Sequence, residues 1–526
     1  MKKLLLGVIA VSLFTLAVKA QQSLPNDVVF KIKREAFQNS QMRDLATYMT
    51  DYAGSRLTAS KLGERAEKLT AEKLTELGFS NVRIEYAADF PRGGWDNLKT
   101  YVAMTAPYYD NLLGTPKAWT GSTKGLVSGE IILLDANTLE DIEKFKGKLK
   151  DKIVLMPATS QYEMQFTPLA KRYTDEELQQ LTIDQRVSTQ QRSAITYNIS
   201  DIDISQFVTF SSMSGVNIRQ KINELILEEK PAVIISGSGR FNVPSSSSVS
   251  YKHGDPEPIA EIVLPVEDHG RMIRLMQKKI PVSMEVEIKN EFYDNQVVNN
   301  VIAEIPGTDP KLKNEVVLIG AHLDSWHAGT GAADNASGCM VMMEALRIIK
   351  QIGIQPRRTI RIALWGGEEQ GLNGSRGYME NNLYDVKENK PQKGFDQFAL
   401  YLNMDNGSGK FRGIYLEEND MAFPFFQQWI KPLETIGFGV LSPRRTSGTD
   451  HQSFDRIGLP AFQFIQDALE YGRSYHTSMD TYERLIIADL QYNAAVAACL
   501  ALSAAMDNSK IQPKPLPDNY TLQPRR

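Results

Sequence analysis

Between residues 298 and 507 the chain alternates apolar runs with amphipathic ones, and this restricts the fold more than any other feature of its 526 residues. "NEVVLIGAHLD" reads as a strand opening into a polar loop. "NASGCMVMMEALRIIKQIG" has helical spacing and small residues at its start. "RRTIRIALWGG", "DQFALYLNMDNG" and "PAFQFIQD" read as further strands, separated by "SRGYMENN" and "AFPFFQQWIKPLETIGF", which read as helices. "DLQYNAAVAACLALSAAMDN" closes the series as a helix. Alternating strands and helices predict an α/β fold: a mostly parallel mixed sheet sandwiched by helices.

Polar groups recur just after these strands. The first strand leads to His322 and Asp324, and the loop beyond it to Asp334. The second leads to Glu368 and Glu369, the third to Asp405, and the loop after the fourth to His476. In an open α/β sheet ligands bind outside the carboxyl ends of the strands, so residues distant in sequence converge on one crevice. Each residue alone has an ordinary reading. Asp334 suits a helix N-cap, Asp405 before Asn-Gly suits a turn, and an adjacent Glu-Glu pair suits a solvated turn. Their joint placement at successive strand ends is what points to chemistry.

His322, Asp334, Glu369, Asp405 and His476 are two imidazoles and three carboxylates, a donor set that suits zinc. Five ligands exceed one tetrahedral site and fit two metals sharing a carboxylate bridge. Asp324, two residues beyond His322, is expected on the same side of an extended strand, where its carboxylate would accept the second imidazole N–H.

Upstream, the texture differs. Residues 30–90 read as helices broken at Gly54 and then a strand. Residues 125–290 carry short strands, a helix "IRQKINELILEEK" and the polar run "VPSSSSVSYKHGDP". This predicts a compact β-rich insertion without a ligand cluster. The boundaries read as a leader over 1–20, an N-terminal part of the main domain over 21–120, the insertion over 121–290, the main domain over 291–510 and a proline-rich tail over 511–526.

The leader combines Lys2 and Lys3, an apolar core from Leu4 to Val18, and small residues at Val18 and Ala20. It reads as a secretory signal cut before Gln21. Its loss would take the net charge from -4 to -7. No later stretch reads as apolar enough to span a bilayer, so an exported protein, secreted or periplasmic and without stable membrane insertion, is expected. A net charge of -4 offers no basic footprint for nucleic acid. The two cysteines, Cys339 and Cys499, lie in apolar helical stretches and read as buried free thiols.

The motifs "AHLDS", "GAADNASG", "WGGEEQGLNGS", "NMD", "SGTDHQSF...GLPAF" and "YHT", in this order over roughly residues 295–505, resemble the co-catalytic dizinc exopeptidases of the aminopeptidase Y and glutamate carboxypeptidase superfamily. The N-terminal "YAGSRLTAS...AEKLTAEKLTELGFSNV" and the insertion are similar to the carboxypeptidase Q-like branch, in which a protease-associated domain interrupts the peptidase domain. The resemblance implies two zinc ions. His322 and Asp405 would hold one, Glu369 and His476 the other, and Asp334 both, with a cis Asp334–Asn335 peptide. Glu368 would be the general base, and Tyr475 would help hold the oxyanion. A peptide is the implied substrate, cut near a free terminus. A single-zinc glutaminyl-cyclase-like enzyme and a receptor-like protein on the same scaffold remain alternatives. For terminus recognition the sequence offers Glu417 and Glu418, or Arg444 and Arg445, although a solvated loop is the plainer reading of each. Two roles stay open for the insertion: shaping the cleft and supporting a homodimer.

Overall fold

In a computed structural model, residues 23–158, 162, 164–187, 217–239, 243–516 and 522 are described. The leader read over 1–20 lies outside them, as does most of the tail beyond 516. In chain order the strands are β1 (Ser80–Asp89), β2 (Gly94–Ala106), β3 (Asp110–Asn111), β4 (Thr115–Pro116), β5 (Val127–Leu133), β6 (Ile153–Leu155), β7 (Val233–Gly237), β8 (Ala260–Leu264), β9 (Ser283–Tyr293), β10 (Val297–Ile305), β11 (Val316–His322), β12 (Thr359–Trp365), β13 (Tyr384–Asp385), β14 (Lys390–Pro391), β15 (Phe398–Asn403), β16 (Phe411–Tyr415), β17 (Val440–Ser442) and β18 (Ala461–Gln466). They form two 8-stranded sheets and a small ribbon of β13 with β14.

The first sheet runs β1-β10-β12-β11-β15-β18-β16-β17. Its centre, β12-β11-β15-β18, is parallel, and the antiparallel pairs lie outboard. The alternation of side chains with period 2 sorts its residues between two cores. On β11 and β12, Val317, Ile319, Ile360 and Ile362 pack beneath the helices Ser337–Gln351 and Ile487–Met506. Leu318, Ala363 and Trp365 face the other layer, with Tyr378 and Phe454. The strand order turns at β11, from which the chain goes first to β12 on one side and then to β15 on the other. Such a switch point opens a crevice at the carboxyl ends of the strands.

The helix Ile487–Met506 corrects the expectation that nothing after the leader could span a membrane. By length and composition it could, with a mean hydropathy of 1.3 over its most apolar window, yet 78% of that window is buried. Its alanine-rich sequence favours a helix and allows close approach to the sheet. Apolar character all round is what burial on several sides requires.

The second sheet runs β3-β2-β9-β5-β6-β7-β8-β4 and is built wholly from residues between β1 and β10. The chain enters it on β2 and leaves on β9, with Gly94 opposite Tyr293. It therefore starts at Gly94, upstream of the boundary read at 121, because β2, β3 and β4 pair with β9, β2 and β8. β5 to β8 are mutually parallel, with the helices Ile218–Glu229 and Val266–Gln277 packed against them. Cys339 and Cys499 are buried free thiols, as expected.

Candidate metal centre

β11 ends on His322, in register with Trp365, the last residue of β12. Two glycines then turn the chain from β12 to Glu368 and Glu369. Gly367 has φ +64, which a residue with a side chain adopts at a cost. A Cβ on Gly366 would stand 2.3 Å from the Asn299 carbonyl of β10. The first glycine thus answers to strand packing and the second to the turn.

The five expected ligands meet at this end of the sheet. His322 Nε2 lies 3.2 Å from Asp334 Oδ1 and 3.4 Å from Asp405 Oδ1. His476 Nε2 lies 2.7 Å from Glu369 Oε2 and 3.3 Å from Asp334 Oδ2. Asp334 therefore presents one oxygen to each imidazole. One Glu368 carboxylate oxygen completes a compact group with His322 and Asp405. The helix after Asp334 is capped by its neighbour: Asn335 Oδ1 accepts from the Gly338 N–H, and Asn335 Nδ2 donates to the Met404 carbonyl beside Asp405. This frees Asp334 from the N-cap reading. The Asp334–Asn335 peptide is cis. His476 sits at φ +55, an uncommon conformation for a residue other than glycine and one that recurs at functional sites.

Electrostatics fits a cation cluster. Burial pushes Glu369 upward, and the Asp334 carboxylate pushes it further. Burial opposes charge on His476, but the Glu369 and Asp334 carboxylates raise it. The metal-free chain thus keeps a proton in the Glu369–His476 pair. Asp334 Oδ2 and Glu369 Oε1 are buried without a hydrogen-bond partner. Buried polar atoms are rarely left so, and a divalent cation between these oxygens and imidazoles would satisfy them. The nitrogen and oxygen donors suit zinc. Metal must displace the shared proton, so we expect uptake to release protons and to weaken as pH falls. Calorimetry in buffers of different ionisation enthalpy measures the protons released.

Asp324 does more than its spacing suggested. His322 Nδ1 meets the Asp324 main-chain carbonyl at 2.9 Å, and the carboxylate lies on the same side, further off at 3.7 Å. The Asp324 carboxylate also accepts the backbone N–H groups of Glu368 at 3.0 Å and Glu369 at 3.2 Å, and the Thr58 hydroxyl at 3.1 Å. It fixes the turn that aims both glutamates. Asp324→Ala is expected to weaken metal binding by about 10–100-fold, the usual cost of losing a supporting group around a metal site, measured by chelator competition.

Two supporting residues escaped the sequence reading. Asp480 accepts the N–H groups of Ala333 at 2.6 Å and Asp334 at 3.0 Å. Arg56, fully buried, donates to the carbonyls of Leu323, Met49, Gly54, Thr330 and Gly331, holding the loop between His322 and Asp334. Their charge and isolation in sequence mark them as unusual, but nothing local reveals partners as distant as residue 331.

Tyr475 stacks on His476, ring centroids 3.5 Å apart. Burial and the nearby Asp334 carboxylate raise its hydroxyl, which keeps it a proton donor. Three of the four residues suggested for terminus recognition are engaged elsewhere. Glu417 is 1% exposed and accepts the Thr446 N–H at 2.9 Å, which corrects the solvated reading. Arg444 donates to the Gln180 carbonyl and Arg445 to Asp455.

An α/β sheet with this cluster at its switch point defines a candidate metal centre. Residues 300–501 match the family model described as Peptidase family M28. The chain is similar to Carboxypeptidase Q of Pongo abelii, 26% identical over 324 residues, spanning 61% of this chain and 64% of that protein. It is similar to Carboxypeptidase Q of Mus musculus, 23% identical over 461 residues, spanning 87% and 84%. Among solved structures, a Peptidase M28 precursor from Shewanella amazonensis aligns with a TM-score of 0.65 at 23% identity, covering 94% of this chain and 99% of that one. A zinc aminopeptidase from Bacillus subtilis aligns with a TM-score of 0.54 at 18% identity, covering 88% and 94%. At these identities the two structures establish the fold.

Proposed function

We propose that this chain is an exported exopeptidase that uses two zinc ions to hydrolyse peptide bonds near a free terminus, as an aminopeptidase or dipeptidase. The observation that carries the reading is Asp334, whose two carboxylate oxygens face His322 at 3.2 Å and His476 at 3.3 Å. In this reading His322 and Asp405 would hold one ion, Glu369 and His476 the other, and Asp334 would serve both. When bound, zinc polarises the scissile carbonyl and makes water acidic enough to attack near neutral pH.

The chain's own groups do the rest. Glu368 takes the proton from the attacking water and delivers it to the leaving amine nitrogen. Burial pushes its carboxyl well above the usual range, the direction a proton carrier at neutral pH needs. Tyr475 donates its hydroxyl to the oxygen that gains charge as the carbonyl becomes tetrahedral. Asp324 and Asp480 keep the loops of Glu368, Glu369 and Asp334 from shifting. The complete pair of ligand sets disfavours a single-zinc cyclase and a receptor-like scaffold.

A panel of free, N-blocked and C-blocked dipeptides tests this. The zinc-loaded chain should cleave free dipeptides, cleave C-blocked ones as well if it is an aminopeptidase and not if it is a dipeptidase, spare N-blocked ones, lose activity to a chelator and regain it with zinc. Cleavage of N-blocked dipeptides alone would reverse the terminus. Cyclisation without hydrolysis would end the reading.

A further inference from the structure

The loop that carries Tyr475 and His476 is pinned at both ends by residues of the inserted region. It leaves β18 at Asp467, whose side chain is fully buried. Arg172 meets that carboxylate at 2.8 Å, and Arg412 meets it at 3.1 Å. The Tyr173 N–H donates to it at 3.0 Å. The same Arg172 Nη1 lies 2.8 Å from Asp489, in the first turn of the helix Ile487–Met506. Two residues on, Leu469 and Lys171 exchange backbone hydrogen bonds of 2.8 and 3.1 Å. At the far end the Ser246 N–H donates to the His476 carbonyl at 2.7 Å, and Ser245 bridges to Thr477.

Beyond Tyr173 this strap continues along the edge of the first sheet. Its helix Asp175–Leu181 is closed by a capping box of Thr174 and Glu177. The Leu181 carbonyl accepts the Ser442 hydroxyl at 2.7 Å, next to β17, and Arg186 pairs with Asp420 at 2.7 Å. The charge arrangement is specific. Asp467 and Asp489 are two carboxylates, 0% and 12% exposed, facing one guanidinium that the insertion supplies. A buried carboxylate that loses a partner is costly, so without Arg172 the loop's first residue keeps Arg412 but is held less firmly, and Asp489 loses its guanidinium.

We infer that Arg172 is a positioning residue: docked between Asp467 and Asp489, it sets the loop that delivers His476, so the insertion governs the metal site although none of its described residues is a ligand. His476 stands at φ +55. A loop tethered at Leu469 and at His476 itself keeps that conformation, and a loose loop relaxes out of it. The inference rests on His476 being a metal ligand, and its test keeps the two claims apart.

The experiment uses the full chain carrying Arg172→Ala, with Arg172→Lys and Arg186→Ala beside it. Hydrogen exchange is followed over residues 467–477, and zinc release to a chelator is followed in parallel. The Arg172 side chain is 44% exposed, so the fold should survive its truncation. Arg172→Ala should speed exchange in residues 467–477 and not around Glu368. It should also release one zinc of two about 10–100-fold faster, the scale expected when support of a ligand is lost. Arg172→Lys should recover part of both effects, and Arg186→Ala should resemble the unaltered chain. Unchanged exchange in residues 467–477 with Arg172→Ala would overturn the inference. If the unaltered chain binds one zinc yet exchange still rises, the two-zinc reading falls and the strap stands.

Discussion

Glu368→Gln should bind both zinc ions as tightly as the unaltered chain and lose about 10²–10⁴-fold in kcat, the range a general base supplies. The substitution keeps shape and removes the proton acceptor. The backbone N–H of Glu368, which donates to Asp324, is untouched, so the turn should hold. The side chain is half-buried beside His322 and Asp405, within reach of a water that these residues and a bound metal would hold for attack. Elemental analysis and steady-state kinetics on the same preparation separate the two effects. Loss of zinc with the activity would make Glu368 a ligand, and full activity would remove it from the chemistry.

Asp334→Ala should have the broader effect, because both imidazoles face this one carboxylate. Removing it takes an oxygen from each metal and leaves His322 and His476 without their common partner. We expect both ions to be lost, not one, together with all measurable hydrolysis. Glu369→Ala should cost the ion beside His476 and spare the one beside His322. Zinc counted in the two variants after the same dialysis distinguishes a shared ligand from a one-sided one. Equal retention in both would contradict the bridge.

Much of this was legible in the sequence because strand ends are. The apolar runs place the residues after His322, Trp365 and Asn403 at one edge of a parallel sheet, and chemistry gathers there. Asp324 is legible only in part: its carboxylate lies 3.7 Å from His322 Nδ1, on the expected side, but the nearer acceptor is its own carbonyl at 2.9 Å. Its real partners, two N–H groups on another loop, exist only once β11 and β12 lie side by side. Glu417 was read as solvated because its neighbours are charged. At φ +51 the chain instead turns its carboxylate inward toward Thr446. Arg56, Asp480 and Arg172 act through backbone groups or carboxylates far away in sequence, so no local pattern announces them. The boundary expected at 121 falls inside the second sheet, because β2 looks like a continuation of β1 until its partner β9 is seen.

A two-metal centre bridged by Asp334 would carry two zinc ions on each folded chain. Elemental analysis after loading and removal of free metal counts them. Two zinc ions per chain are expected, falling to one in Glu369→Ala. One zinc in the unaltered chain, or none, would contradict such a centre.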